Sequence, residues 1–218
     1  MQKEKKTVTA ERTFSVLQTL WNPRVLALAA IHFGQAAVSV GLAAFAPQII
    51  KSMGLTNMQT GFATSIPYIF GTLGMIVWGH YSDKKNERRW NLTGSCTVMM
   101  IGCLLAGLYA GTWLSIVGLS MMTVGLYAGN AHLFPLPAVF LAGPALASGI
   151  AWVNSVGILG GSVSPPVMGW LKDYTGSYSG GLYALAGFAL LAALVSATCV
   201  RETPARRQTG REIEAFGG

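Results

Sequence analysis

Six runs of apolar residues follow one another along this chain, and charge is confined to the stretches between and beyond them. A membrane-spanning helix needs about 20 mostly apolar residues. The runs cover 25–50, 60–78, 91–110, 113–134, 144–171 and 181–200, and none contains Asp, Glu, Lys or Arg. Buried helices of a water-soluble domain rarely come six in a row with so little polar surface between them. The pattern predicts an all-α membrane protein of six transmembrane helices: a lead-in over 1–23, a bundle over 24–200 and a tail over 201–218.

Composition supports this class. Charged residues make up 11% of the chain and hydrophobic residues 52%, whereas a soluble domain carries about a quarter charged residues. The net charge of +7 raises the possibility of a nucleic-acid partner, but its distribution argues against one. Thirteen of the fifteen Lys and Arg fall in three clusters: the N-terminus through Arg24, the 84–89 link, and the tail after Val200. With six spans these clusters share one side, leaving Lys51 and Lys172 on the other. Loops that retain Lys and Arg stay cytoplasmic, so both termini are expected in the cytoplasm. Trp21, Trp78, Trp90, Trp113 and Trp170 near the span ends suit interfacial anchoring. Cys96, Cys103 and Cys199 lie inside apolar runs, without disulfide or metal-site spacing, and read as packing residues. The basic start, MQKEKKTVTAERTF, lacks a signal-peptide cleavage pattern and reads as a cytoplasmic lead-in.

Small residues and prolines mark the spans. Gly125 and Gly129 are spaced to let helices approach closely, and Gly157, Gly160 and Gly161 line the fifth span. Pro47, Pro67, Pro135, Pro137, Pro165 and Pro166 break or end spans. Such breaks persist in lipid where protein or a wet cavity satisfies the freed backbone groups. Packing is the ordinary role of these glycines, and a transporter that rocks its helices uses the same residues. Inverted three-plus-three repeats leave too faint a trace in sequence to decide.

The link after the second span reads GHYSDKKNERR. It resembles the loop signature of the major facilitator superfamily: Gly, three residues, Asp, a basic residue, then paired basics. Gly79, Asp83, Lys84, Arg88 and Arg89 stand at the matching places. Asn86 replaces the usual glycine; Asn also tolerates a left-handed turn. The segments 46–83 and 136–187 look like the seventh-to-eighth and tenth-to-twelfth helix regions of the anion:cation symporter branch. The resemblance runs over 22–200 and covers the C-terminal six helices of a twelve-helix protein. It implies a bacterial inner-membrane protein that moves a small organic anion (a sugar acid or other carboxylate) by alternating access. It also implies protons as the coupling ion, a partner N-terminal six-helix half, and no cofactor or enzyme chemistry. The signature loop would lock one transport state, with Asp83 meeting helix amides where the dipole favours an anion.

Transporter sites sit near the midplane, lined by a few polar groups. The first span offers His32 and Gln35, one turn apart on one face, with Ser39 a further turn along. The family more often has an aromatic near the position of His32, and packing is a competing role there. The second span offers Tyr68, just after Pro67. The fourth offers Asn130 and His132. In the fifth, NSVGILGG matches a family stretch whose Asn contributes to substrate contact, making Asn154 and Ser155 the first choices. Helix-to-helix hydrogen bonding is the competing role for Asn154. No fixed cation or acid lies within any span, and in the family such charges belong mainly to the N-terminal half.

Two other readings share the six-span pattern. An intramembrane serine protease needs an activated Ser with a His in reach, and GGSVSP resembles that motif only faintly. A truncated or split-gene remnant, without transport activity by itself, is the alternative that shares the fold.

Overall fold

The computed structural model describes residues 19–85 and 88–200, with backbone alone for 83–85 and 88. The expected tail and most of the lead-in therefore lie outside the described residues. Among the described residues, seven helices are bounded as follows: α1 Pro23–Lys51, α2 Asn57–Lys85, α3 Arg88–Leu108, α4 Leu114–Leu133, α5 Pro137–Phe140, α6 Gly143–Thr175 and α7 Ser179–Cys199. Six are long and apolar enough to cross a membrane. The described residues hold no strand.

Local chemistry sets the helix ends. At α1, Asn22 accepts from the Arg24 amide at 3.0 Å while Pro23 occupies the first turn, where its missing N–H costs nothing. At α6, Gly176 adopts φ 68° and its N–H donates to the Lys172 carbonyl at 2.8 Å, a left-handed stop that suits glycine. Extra prolines after α4 divide the chain there: the helix stops at Leu133, and the single turn of α5 precedes α6. That separate turn was not expected from the apolar pattern. The signature stretch differs as well. Residues 79–85 continue α2, and 88–90 open α3, so most of the presumed loop is helical.

Within lipid, side-chain hydroxyls need partners as much as backbone groups do. Thr64, Thr72, Thr97, Ser120, Ser155 and Ser162 each donate to the carbonyl four residues earlier, at 2.7–3.0 Å. This back-bonding lets apolar spans carry hydroxyls without orphaned donors.

The helix pairings have an internal symmetry. The strongest are α3 with α4, α1 with α6, α2 with α4, α3 with α7, and α1 with α7. Exchanging the first three spans for the last three, so that α1 trades with α4, α2 with α6 and α3 with α7, maps this set onto itself. Helix α2, with Pro67, exchanges with α6, with Pro165 and Pro166, whereas the internal Pro47 of α1 has no counterpart in α4. These are the relations of a three-plus-three repeat, hidden in the sequence and plain in the packing. Helices α3 and α7 pair behind the others, while α2 and α6 are the least enclosed spans.

The apolar interior divides into two clusters. Val38, Leu42, Met99, Leu119, Leu126, Met168 and Leu185 pack toward the end marked by Lys51 and Lys172. Val25, Leu28, Ile31, Leu92, Cys96, Leu133 and Val153 pack toward the end marked by Arg24 and Arg89. On α1 the boundary falls between Ile31 and Val38, and on α4 between Leu126 and Leu133. His32, Gln35, Gly129 and Asn130 occupy that boundary.

Candidate functional site

At 1.5 Å per residue, His32 lies about 14 Å along α1 from its first residue, well inside the membrane. Its ring meets the edge of Phe134, with centroids 5.2 Å apart and planes at 70°. Its other edge lies on Gly157 of α6: a Cβ there would sit 2.6 Å from Nε2. With the ring in this orientation, only glycine leaves room for the imidazole. Asn154 and Gln35 both approach the ring, so α1 and α6 bring His32 and Asn154 together, as a shared site requires.

Gln35 is more deeply placed. It is 1% exposed and rests on Gly129 of α4, the small residue that makes space for its amide. Its Nε2 donates weakly to Cys96 Sγ at 3.7 Å. Gln35 thus ties α1 to α3 and α4 from inside the bundle. Ser155 stands apart from this cluster: it is exposed on α6, and its hydroxyl is committed to the Ala151 carbonyl at 2.9 Å. Tyr68 is half-buried on α2, packed against the cluster at the Lys51 end. Beside it, Thr123 of α4 donates to the Pro67 carbonyl at 2.6 Å, pinning α2 to α4 at the proline.

Several polar atoms are enclosed here without a hydrogen-bond partner: His32 Nδ1, Gln35 Oε1 and Asn130 Oδ1. Asn130 was noted in the sequence, but its relation to Gln35 and His32 depends on α4 running antiparallel to α1. His132, also on α4, directs Nδ1 to the Ala128 carbonyl.

Of the signature residues, Gly79 sits in α2 with open space where a Cβ would be. The side chains of Asp83, Lys84 and Arg88 lie outside the described residues. Arg89 donates to the Ala197 carbonyl in the last turn of α7 and stacks on Trp90, 5.2 Å from the ring centroid. A cation at a helix C-terminus is favoured by the dipole, so Arg89 ties α3 to α7 within this bundle. At the opposite end, Lys172 Nζ lies 4.7 Å from the Tyr178 ring centroid, and the Tyr178 hydroxyl donates to Gln48 at 3.1 Å. The described residues hold no cluster of metal-ligating side chains.

Comparison with known proteins agrees with this architecture. The sequence model of the Major Facilitator Superfamily matches residues 26–217. Two Agrobacterium vitis proteins, each named "Putative tartrate transporter", are 39% and 38% identical over 91% and 94% of this chain. A quinolone resistance transporter of Acinetobacter baumannii is 37% identical over 78% of it. The chain covers 47% of each tartrate relative and 39% of the quinolone one, so it spans about half the length of the curated relatives it matches. The relatives are transport proteins, not enzymes, and these three are bacterial. The chain is a six-helix, multi-pass membrane member of the major facilitator superfamily.

Proposed function

We propose that this chain forms the C-terminal half of a secondary transporter of the anion:cation symporter branch, moving a small organic anion with protons by alternating access. The observation that carries the reading is the set of polar residues His32, Gln35, Asn130 and Asn154, placed at the boundary between the two apolar clusters on α1 and on the α4 and α6 helices that pack against it. Tartrate in the names of two relatives supports a carboxylate as cargo. The spans carry no fixed cation at this depth, and an organic anion does not leave water for an uncharged cavity. A second six-helix half supplies the opposing wall, since alternating access needs two bundles rocking about a shared site. Asp83 and the basic residues after it serve as the gating link on the cytoplasmic face, where the charge distribution also places both termini.

The test is uptake of labelled tartrate into proteoliposomes under an imposed proton gradient. This chain alone should insert, because its helices satisfy their own backbone groups, yet accumulate nothing. Joined with an N-terminal six-helix half from a tartrate-transporting relative, it should accumulate the anion, and an uncoupler should abolish the gain. Uncoupler-sensitive accumulation by the chain alone would overturn the half-transporter reading. Failure of the joined protein, with both halves folded, would overturn the anion reading. Labelling of a cysteine at position 86 by an impermeant external reagent in intact cells would overturn the orientation.

A further inference from the structure

The polar seam between α1 and α4 is rich in acceptors. Gln35 Oε1 and Asn130 Oδ1 are both enclosed without a donor, and so is Nδ1 of His32. The His32 edge carrying Nε2 rests on Gly157, which leaves Nδ1 on the other side of the ring, away from α6. Phe134 touches the His32 ring, and Gly129 underlies Gln35. Asn130 lies between these two contacts in sequence and one turn before Phe134, on the same face of α4. The helices therefore gather two unpaired amide oxygens and one unpaired imidazole nitrogen at one depth.

A neutral imidazole offers one donor and one acceptor, whereas the protonated ring offers two donors. Two amide oxygens without donors are complementary to the protonated form. The single N–H of the neutral ring can serve either the Gln35 and Asn130 oxygens through Nδ1 or the α6 side, where Asn154 approaches, through Nε2. The second N–H of the protonated ring serves both sides and relieves the desolvation penalty of an unmade acceptor. Few ionisable groups compete. From α3 comes Cys96, reached through Gln35. The ionisable residues of α4 are Tyr127 and His132; α2 has Tyr68 mid-span, with His80, Tyr81, Asp83, Lys84 and Lys85 in its last turns. Helix α5 has none, those of α6 are Lys172, Asp173 and Tyr174 near its far end, and α7 has only Tyr183 and Cys199. On α1 itself, Arg24 lies over the Phe140 ring, 5.8 Å from its centroid, and Lys51 ends the helix.

We propose that His32 is a proton-binding site of this bundle, its protonated ring held by the amide oxygens of Gln35 and Asn130. The proton arrives from bulk water as hydronium and returns there; only an N–H bond forms and breaks. The imidazolium also supplies a cation that the spans otherwise lack. Its use by a carboxylate rests on the anion-transport reading.

Nitrogen-15 NMR of the imidazoles tests this in the full chain in lipid nanodiscs, with the His32 signal assigned by its loss in His32→Gln. The ring should gain and lose its proton reversibly within the pH range over which the bundle stays folded. Replacing both acceptors, Gln35→Leu with Asn130→Leu, should lower the midpoint by about half a pH unit or more. The isosteric Gln35→Glu, which preserves the packing, should raise it by about one unit or more through the added negative charge. A ring that stays neutral down to the lowest pH at which the bundle remains folded, or a midpoint that neither set of variants moves, overturns the proposal. Repeating the titration with tartrate separates the two readings. A midpoint that responds to the variants but to no added carboxylate upholds the proton site and counts against the anion reading alone.

Discussion

Two glycine-lined seams of this bundle do different work. Between α3 and α4, a Cβ on Gly102 would strike the amide of Met122, one on Gly118 that of Ala106, and one on Gly125 that of Met99. Backbone meets backbone along the whole contact, and nothing there can step aside. Between α1 and α6 the contact is mixed. Gly160 faces the Phe33 carbonyl, but Gly157 faces the His32 ring, and Gly161 the Val40 side chain at 2.8 Å. The first seam is a dry joint made by close approach of small residues, which is how membrane helices associate without a hydrophobic drive. The second holds side chains that can rotate and a polar cluster with unmade hydrogen bonds. Glycine spacing looks alike in both, so the pattern alone does not separate a fixed joint from the seam that holds the candidate site.

The largest effect expected is on the dry joint. Gly125→Leu should remove folded protein from the membrane, because its collision with α3 backbone exceeds the about 1–3 kcal/mol of ordinary overpacking. Gly157→Ala should keep the fold, since the imidazole can turn away, while moving the His32 nitrogen-15 signals. Gel filtration in detergent after solubilisation measures both. Equal losses would erase the distinction between the seams.

Next comes the proposed gating link. Asp83→Asn should lower uptake by the joined transporter strongly, yet leave membrane abundance within about twofold, since one surface contact changes stability little. Parallel uptake and immunoblot measurements check this, and normal uptake would remove the state-locking role.

Arg89→Ala should cost about 1 kcal/mol by uncapping the C-terminus of α7, read as a lower denaturation midpoint with insertion unchanged. Arg89→Lys should recover part of the loss, because a lysine restores the charge without the fork of donors. The smallest expected effect belongs to the α2–α4 pin. Thr123→Val keeps the shape and loses the bond to the Pro67 carbonyl, which interhelical averages in membranes place at about 0.6 kcal/mol. A change as large as that of Arg89→Ala would show the proline carbonyl to depend on this hydroxyl more than on its own helix.

Much of the architecture was legible beforehand. The six apolar runs correspond to the six observed spans within a few residues at most ends, because lipid leaves a chain no alternative to satisfying its backbone in helices. The ends were read less well. Apolar runs mark what lipid covers, whereas α2 continues through the polar residues to Lys85, since helix propensity does not stop at the first charge. The candidate site was legible as a set of residue types but not as a set of neighbours. His32 and Gln35 share a face by spacing alone, and Asn154 joins them only because α1 and α6 pack together. Ser155, adjacent in sequence to Asn154, turns outward because successive helical residues point about 100° apart.

The sequence by itself determined the class, the number of spans and the one-sided distribution of charge, since each depends on local composition against the fixed thickness of a bilayer. It also carried the family resemblance, through the residues between 79 and 89 and the segments 46–83 and 136–187. Tertiary structure decided the rest. The three-plus-three symmetry appears only in which helices touch, because its halves share geometry without sharing an obvious pattern of residues. The partner of Arg89 is a carbonyl 108 residues away, and the amide oxygens beside His32 come together from different helices. Contacts between distant segments are set by how the helices pack, and helical periodicity, which reports one helix at a time, carries no record of them.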